Sequence, residues 1–420
     1  MKSTLFILPL LAASSVFAGE ETKIGFRGES AVFKPGETIS FYAPASTSAQ
    51  EVVVFRNNRE MLRRDVGANV APAVDVVAEA GACYVFSVKG EGAKKPEEIG
   101  VVCGIDAFRP ATERPADFDR VWADEIAAMR RTKPVLVKKE CVAGKVPGVE
   151  IAEIEVSFIE GLPPVTGWLA VPTNAPAKSL PIRIGIPGAA YCPFPNPSCG
   201  TSTDSIYFGI NVHGLPNLHY DKEKWGAFAM VKGNYYTRES WTCDFAHSYY
   251  RKVILRLVRA ADWLKTIPQW NGKDFRLAGG SQGGALSLIG AALIEGVTEA
   301  DVHVPAMCDL GAERVGRKSG WPEPLNARSA SERAEGYDQH RYLDVCHFAP
   351  RITCPVYVYT GMIDGCCAPS SQFAMFNALP KTTPRKLTIS PVIGHSGART
   401  RAELVFEHGV PSQGNGKWAH

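Results

Sequence analysis

The chain has 420 residues, too many for one ordinary domain, and two is the natural expectation. With 45% hydrophobic and 21% charged residues the composition is globular and supplies a sizeable core. A formal charge of +3 with no basic block excludes the electrostatic footprint of a nucleic-acid binder.

The first segment, 1–18, reads as a secretory signal. Lys2 supplies the positive start, Leu5 to Val16 the apolar stretch, and Val16-Phe17-Ala18 the small-residue cleavage site. That stretch is too short to span a bilayer, and no later run reaches the required length. A secreted or periplasmic protein is expected, with no transmembrane segment. Export permits disulfides, and the odd count of 11 cysteines leaves at least one unpaired in a monomer. Cys83 with Cys103, and Cys192 with Cys199, are the pairs the spacing suggests, whereas the adjacent Cys366 and Cys367 are poorly placed to bond each other. No zinc-type C-x-x-C spacing recurs, so neither a structural metal nor any cofactor is expected.

Residues 19–108 read as short strands broken by turns. Lys34-Pro35-Gly36-Glu37 separates Ser30–Phe33 from Thr38–Tyr42 as a hairpin would, and Asn57-Asn58 marks another turn. Val52–Phe55, Cys83–Val88 and Ile99–Cys103 continue the pattern, which suggests a small immunoglobulin-like β-sandwich. Its expected role is to pack against or shield the rest of the chain, with carbohydrate binding as the sharper alternative. A proline-bearing boundary at Arg109–Pro115 opens a second domain, 109–420. Asp117 to Met129 has helical spacing behind a possible Asp117 cap, and Tyr249 to Ile267 predicts a long amphipathic helix. Strand-like runs at Glu150–Phe158, Thr166–Val171, Ile182–Ile186, Phe275–Ala278, Val356–Thr360 and Lys386–Ser390 alternate with helices. That alternation predicts an α/β domain with a mostly parallel sheet covered on both faces.

Gly279-Gly280-Ser281-Gln282-Gly283-Gly284 sits between the Phe275–Ala278 strand and a helix running from Ala285 to Ile294. A strand, a glycine-bounded serine and a helix make up the nucleophile elbow of an α/β-hydrolase. A serine hydroxyl needs a base, and the base an orienting acid, which in this fold come in the order Ser, Asp or Glu, His. His213, His219 and His247 precede Ser281, and His303 is placed at the start of an expected strand. His340 and His347 lie before the strand that should deliver the acid, while His420 is terminal. His395, in the glycine-flanked loop after Lys386–Ser390, is the candidate base, with His408 as fallback. Asp364 comes after the Val356–Thr360 strand and is the candidate acid, unless it merely caps the helix starting near Pro369; Asp338 and Asp344 are weaker. An oxyanion needs two backbone donors. Gln282, after the serine, and Ala189, in the Pro187–Tyr191 loop after Ile182–Ile186, are the candidates.

Taken with Arg114-Pro115-Ala116-Asp117-Phe118-Asp119-Arg120-Val121-Trp122, Tyr249-Tyr250-Arg251, Ile352-Thr353-Cys354-Pro355-Val356 and Asp364-Gly365-Cys366-Cys367-Ala368-Pro369-Ser370, these motifs resemble the acetyl xylan esterase and cephalosporin C deacetylase family, carbohydrate esterase family seven. The resemblance covers roughly Pro115 to Gly397. In the family's D-x-x-C-P-P-S-T acid loop Asp364 and Cys367 match, and Ala368 replaces the first proline. The family's triad maps onto Ser281, Asp364 and His395. Its R-G-Q motif is replaced by Val212-His213-Gly214-Leu215, and its histidine-glycine-tyrosine oxyanion loop by Pro187-Gly188-Ala189. The resemblance implies removal of acetyl groups from sugar hydroxyls of an acetylated carbohydrate, by a protein that could assemble as a homo-oligomer. Other readings left open are a peptidase or general carboxylesterase of the same fold, and a non-catalytic carbohydrate-binding protein.

Overall fold

The computed structural model describes residues 23–144, 146–190, 203–219, 221, 223, 245–323, 336, 338–397 and 402–410. The signal segment, Cys192, Cys199 and His420 lie outside the described residues.

Among the described residues, eight strands precede residue 104. A three-stranded sheet runs β1 (Gly25–Phe26), β3 (Thr38–Tyr42), β6 (Ala73–Val77). A five-stranded sheet runs β2 (Val32–Phe33), β8 (Glu97–Cys103), β7 (Ala82–Gly90), β4 (Gln50–Arg56), β5 (Arg59–Val66). Strand alternation turns Ile39, Phe41, Val74 and Val76 of one sheet inward. Phe41 stacks on Phe86 of the other with centroids 5.3 Å apart, so the two sheets share one core.

The expected hairpin at Lys34–Glu37 does not form. β2 pairs in parallel with β8, whereas β3 belongs to the opposite sheet, so this turn carries the chain across the core. The reason is that Phe33 and the Ile39/Phe41 pair are all buried, and they fill the core from opposite sides. Asn57-Asn58 does turn a hairpin, with φ of 52° and 61° at the two residues, as a tight β4–β5 connection requires. Its second strand has no apolar alternation, because Arg59–Asp65 faces solvent. Cys83 and Cys103 lie on neighbouring strands but are not opposite each other: Cys83 faces Val102, and Cys103 faces Ala82. A one-residue offset turns the two side chains to different faces, and both are free thiols, as are the other described cysteines.

The third sheet has, among the described residues, ten strands in the order β18 (Glu403–His408), β17 (Arg385–Ser390), β16 (Val356–Gly361), β15 (Glu299–His303), β14 (Trp270–Gly280), β12 (Leu180–Ile186), β13 (Ile206–Asn211), β11 (Val165–Pro172), β10 (Val149–Val156), β9 (Leu136–Val142). The six from β17 to β13 are parallel, and the flanking pairings are antiparallel. This is the mostly parallel sheet of an α/β-hydrolase. Helix α1 (Phe118–Arg130) buries Phe118, Trp122, Ile126 and Met129 at helical spacing. Asp117 does not cap it through its side chain; the carboxylate accepts from Tyr342 Oη at 2.6 Å instead. Helix α2 (Tyr249–Leu264) packs beside α3 (Gln282–Leu293), which is apolar almost all round and correspondingly buried.

The sandwich is fastened directly to the strand ends of the large sheet. Gly100 N donates to Pro391 O at 2.8 Å, and Asn58 Nδ2 donates to Asp364 O at 3.1 Å. Glu403 of β18 accepts from Ser30 Oγ and, at 3.0 Å, from Ala31 N. A side chain at Gly100 would place its Cβ 2.8 Å from both the Cβ and the carbonyl oxygen of Met362. Gly100→Ala is therefore expected to destabilise the protein by about 1–3 kcal/mol, measured by denaturant unfolding. An unchanged midpoint would show that β8 does not press on the Met362 backbone.

Candidate active site

Ser281 sits between β14 and α3 with φ 55° and ψ −121°, a backbone conformation that side-chain-bearing residues adopt only under constraint. The constraint is visible on each side. Ser281 N donates to His303 O at 2.9 Å, and Ser281 O accepts from Ala306 N and Ala285 N, both at 3.0 Å. The glycine after Gln282 is obligatory: a Cβ on Gly283 would lie 2.0 Å from the carbonyl oxygen of Ile186. The helix start can approach the end of β12 so closely only with bare backbone there.

His395 Nε2 is 3.0 Å from Ser281 Oγ, and its Nδ1 is 3.0 Å from Asp364 Oδ2. The three residues come from loops after β14, β16 and β17; Asp364 and Ser281 are 31 and 114 residues from His395 in sequence. Asp364 is fully buried, and its other oxygen accepts from Cys366 N and Cys367 N at 2.8 Å each. It therefore orients the imidazole and does not act as a cap for the later helix Pro369–Ala378, whose preceding residue is Ala368. Because a carboxylate only accepts, the neutral imidazole carries its proton on Nδ1, which leaves the Nε2 lone pair facing the serine hydroxyl. The Asp364 hydrogen bond, together with a smaller contribution from Cys366, raises His395 to about 10, against the opposing effect of burial. A site that favours imidazolium to this degree can take a proton from a hydroxyl and hold it.

The oxyanion candidates flank this point. Gln282 begins α3, and its buried side chain accepts from Tyr250 Oη at 2.9 Å. The Pro187–Ala190 loop passes over the elbow, since a Cβ on Gly188 would lie 3.9 Å from Ser281 Cβ.

Comparison with known proteins gives this geometry a lineage. The model of the acetyl xylan esterase (AXE1) family matches residues 102–406. The acetyl esterase Axe7A of Xylanibacter ruminicola is 30% identical over 358 residues, covering 84% of this chain and 76% of that protein. The chain belongs to the acetyl xylan esterase family. The fold agrees: an acetyl xylan esterase from Paenibacillus sp. superposes with a TM-score of 0.56 at 20% identity, over 70% of this chain and 94% of that one. Acetyl xylan esterase 1 from Thermoanaerobacterium sp. gives 0.57 at 19% identity, over 70% and 93%. Membership makes the protein a hydrolase acting on esters.

Four of the other described histidines, His303, His340, His347 and His408, lie apart from the Ser281–His395–Asp364 relay. His303 ends β15 and does not begin it; the charged residues that alternate along Glu299–His303 hid the strand's true extent. It supports the elbow through its carbonyl. His347 is buried, is held down to about 3 by burial, and contacts Thr112 Oγ1 at 3.0 Å. His340 is buried, and His408 lies at the end of β18, an edge strand. Asp344 accepts from the backbone of Asp309, Leu310 and Cys346, and Asp338 pairs with Arg341 on the surface.

His213 has a role that its sequence position did not reveal. It stands where the family's R-G-Q motif would fall, and it is 2.8 Å from Ala190 O and 2.6 Å from Tyr249 Oη. Burial pushes it down to about 4, so the ring is neutral near pH 7. The Ala190 carbonyl can only accept, so Nε2 carries the proton, and Nδ1 accepts from the tyrosine. His213 thus pins the end of the Pro187–Ala190 loop.

Proposed function

We propose that the protein is an exported serine carbohydrate esterase that removes O-acetyl groups from polysaccharides or oligosaccharides such as acetylxylan. The observation that carries the reading is the continuous Ser281–His395–Asp364 relay within a chain of this family. Ser281 Oγ attacks the acetyl carbonyl while His395 Nε2 takes its proton. The tetrahedral oxyanion is received by the N–H groups of Gln282 and Ala189, the first at a helix start where the dipole favours negative charge. His395 then gives the proton to the departing sugar oxygen. Water attacks the acetyl-enzyme, passes its proton to His395, and acetate leaves as Ser281 recovers its hydrogen. The signal-like segment 1–18 supports action outside the cytoplasm, where polymeric substrates are met.

Acetate release from acetylated xylo-oligosaccharides, measured beside cleavage of aminoacyl and peptidyl substrates, tests the reading. Deacetylation is expected to be much the faster. Faster cleavage of the peptidyl substrates would make the protein a peptidase, and binding without turnover would leave only a carbohydrate-binding role.

The raised His395 sets the pH dependence. Only the unprotonated imidazole can act as base, and that form grows as pH rises toward about 10, so kcat/KM should climb from neutral into the alkaline range. Cys366 contributes because its thiol, hydrogen-bonded to Cys367 and to the imidazole, is pulled down to about 5 and places a thiolate beside the ring. Removing that negative charge in Cys366→Ala should shift the acidic limb to lower pH by about one unit or more. A limb that stays in place in the variant would deny the thiolate any part in raising the base.

A further inference from the structure

The proposed esterase mechanism makes no use of the two sulfurs that come just after the acid. In an extended segment, adjacent side chains point to opposite sides. Here both backbone N–H groups, of Cys366 and Cys367, donate to Asp364 Oδ1, and the bend this imposes brings both thiols to the His395 side. The Cys366 thiol is hydrogen-bonded to Cys367 and to His395. One donor atom from each of Cys366, Cys367 and His395 lies within 4.8 Å of the other two. Cys366 and His395 are partly exposed, so a small ion can reach the group from solvent. The adjacent spacing is unlike the C-x-x-C pattern of structural zinc sites, which is why a search by spacing passes over it.

We infer that Cys366, Cys367 and His395 form a binding site for a thiophilic divalent cation, of the zinc or cadmium class, whose occupation switches off the Ser281 centre. The donor set is right for such an ion: two thiolates and one imidazole, with a fourth position left for water. Tetrahedral coordination with metal–sulfur bonds of about 2.3 Å needs donors roughly 3.8 Å apart, which side-chain rotation reaches from the present spacing. Cys366 binds as the thiolate it already is, while Cys367 and the protonated His395 ring each release a proton to solvent as the ion binds. Activity is lost whichever ring nitrogen the ion takes. Nδ1 holds Asp364 and Nε2 holds Ser281, so coordination at either one breaks a hydrogen bond of the relay.

The test uses the full chain, reduced with a phosphine and titrated with Cd²⁺ alone. The expected result is one Cd²⁺ per chain with a sulfur-to-cadmium charge-transfer band in the ultraviolet. Turnover of an aryl acetate should fall at least about a hundredfold as the base is lost, and a chelator should restore it. Cys366→Ser and Cys367→Ser should each weaken binding by at least about a hundredfold, since losing a ligand exceeds the loss of its outer support. The band in Cys141→Ser, which removes an exposed cysteine elsewhere, should match the wild type. His395→Ala keeps both sulfurs, so it should retain the band with weaker affinity, and it serves as the second route should a serine variant not fold. The band reports binding without reference to hydrolysis, whereas the loss of turnover rests on the esterase reading. No stoichiometric band, or one unchanged in both serine variants, overturns the site. A full band with undiminished turnover, or affinity unchanged in His395→Ala, removes the imidazole from the ligand set and overturns the switch.

Discussion

Ser281→Ala is expected to lower kcat/KM for acetyl esters by a factor on the order of 10⁴ to 10⁶, with the unfolding midpoint unchanged. The size of the effect comes from the way the relay is built. His395 and Asp364 are arranged to activate one oxygen, and without it neither has an acceptor for the acetyl group. What survives is the contribution of the oxyanion donors and of binding, which leaves a modest rate above water. The midpoint should hold because the substitution keeps both backbone anchors, His303 O and Ala306 N, and alanine's Cβ bears the same φ of 55° as serine's. Hydrolysis of an aryl acetate, corrected for contaminating esterase by a second preparation, is the measurement. Retention of more than about a hundredth of wild-type kcat/KM would remove Ser281 from the reaction.

Asp364→Asn is expected to reduce kcat by about 10³ to 10⁴. The buried carboxylate accepts on both oxygens, from Cys366 N and Cys367 N on one side and from His395 Nδ1 on the other. An amide of the same shape offers only one accepting side. If its oxygen keeps the two backbone donors, its NH₂ faces His395 and forces the proton onto Nε2, where it meets Ser281 instead of a lone pair. If it turns round, two backbone N–H groups meet an NH₂ in a site with no solvent, at a cost of about 1–3 kcal/mol or more. The two outcomes separate experimentally: the first leaves the unfolding midpoint in place and lowers kcat, whereas the second lowers both. Near-normal kcat with a normal midpoint would mean that Asp364 does not set the tautomer.

That Ser281, Asp364 and His395 come together was legible because the fold fixes an order, and the order selects one histidine and one aspartate from many. Ser281 declared itself through its glycines, and Asp364 and His395 through the short apolar runs that precede them. The central strands were legible for the same reason: Val356–Gly361 is buried along its whole length and reads as an uninterrupted apolar run. What escaped depends on partners far along the chain. β9 is a largely exposed edge strand with three charged residues in a row, Lys138-Lys139-Glu140, and nothing local distinguishes it from a loop. The path of Lys34–Glu37 between two sheets, in place of a hairpin, is decided by β8, some 70 residues on. His213 was set aside as a base because it precedes Ser281, and its hold on Ala190 rests on a contact across 23 residues that no motif announces. Cys366 and Cys367 stood out only as a pair poorly placed to bond each other. Their convergence on His395 needs the bend that Asp364 imposes.

The hairpin tip at Asn58 and the bare backbone of Gly100 give the amino-terminal sandwich a direct hold on the loops that carry Asp364 and His395. One grips the acid residue's own carbonyl, and the other ties down the segment four positions ahead of the base. The two halves are therefore not interchangeable modules. A foreign sandwich grafted at the same junction would have to reproduce a left-handed amide and a missing side chain at two spots. At those points the sequence of this region is tied to the geometry of the loops that carry Asp364 and His395 in the other half.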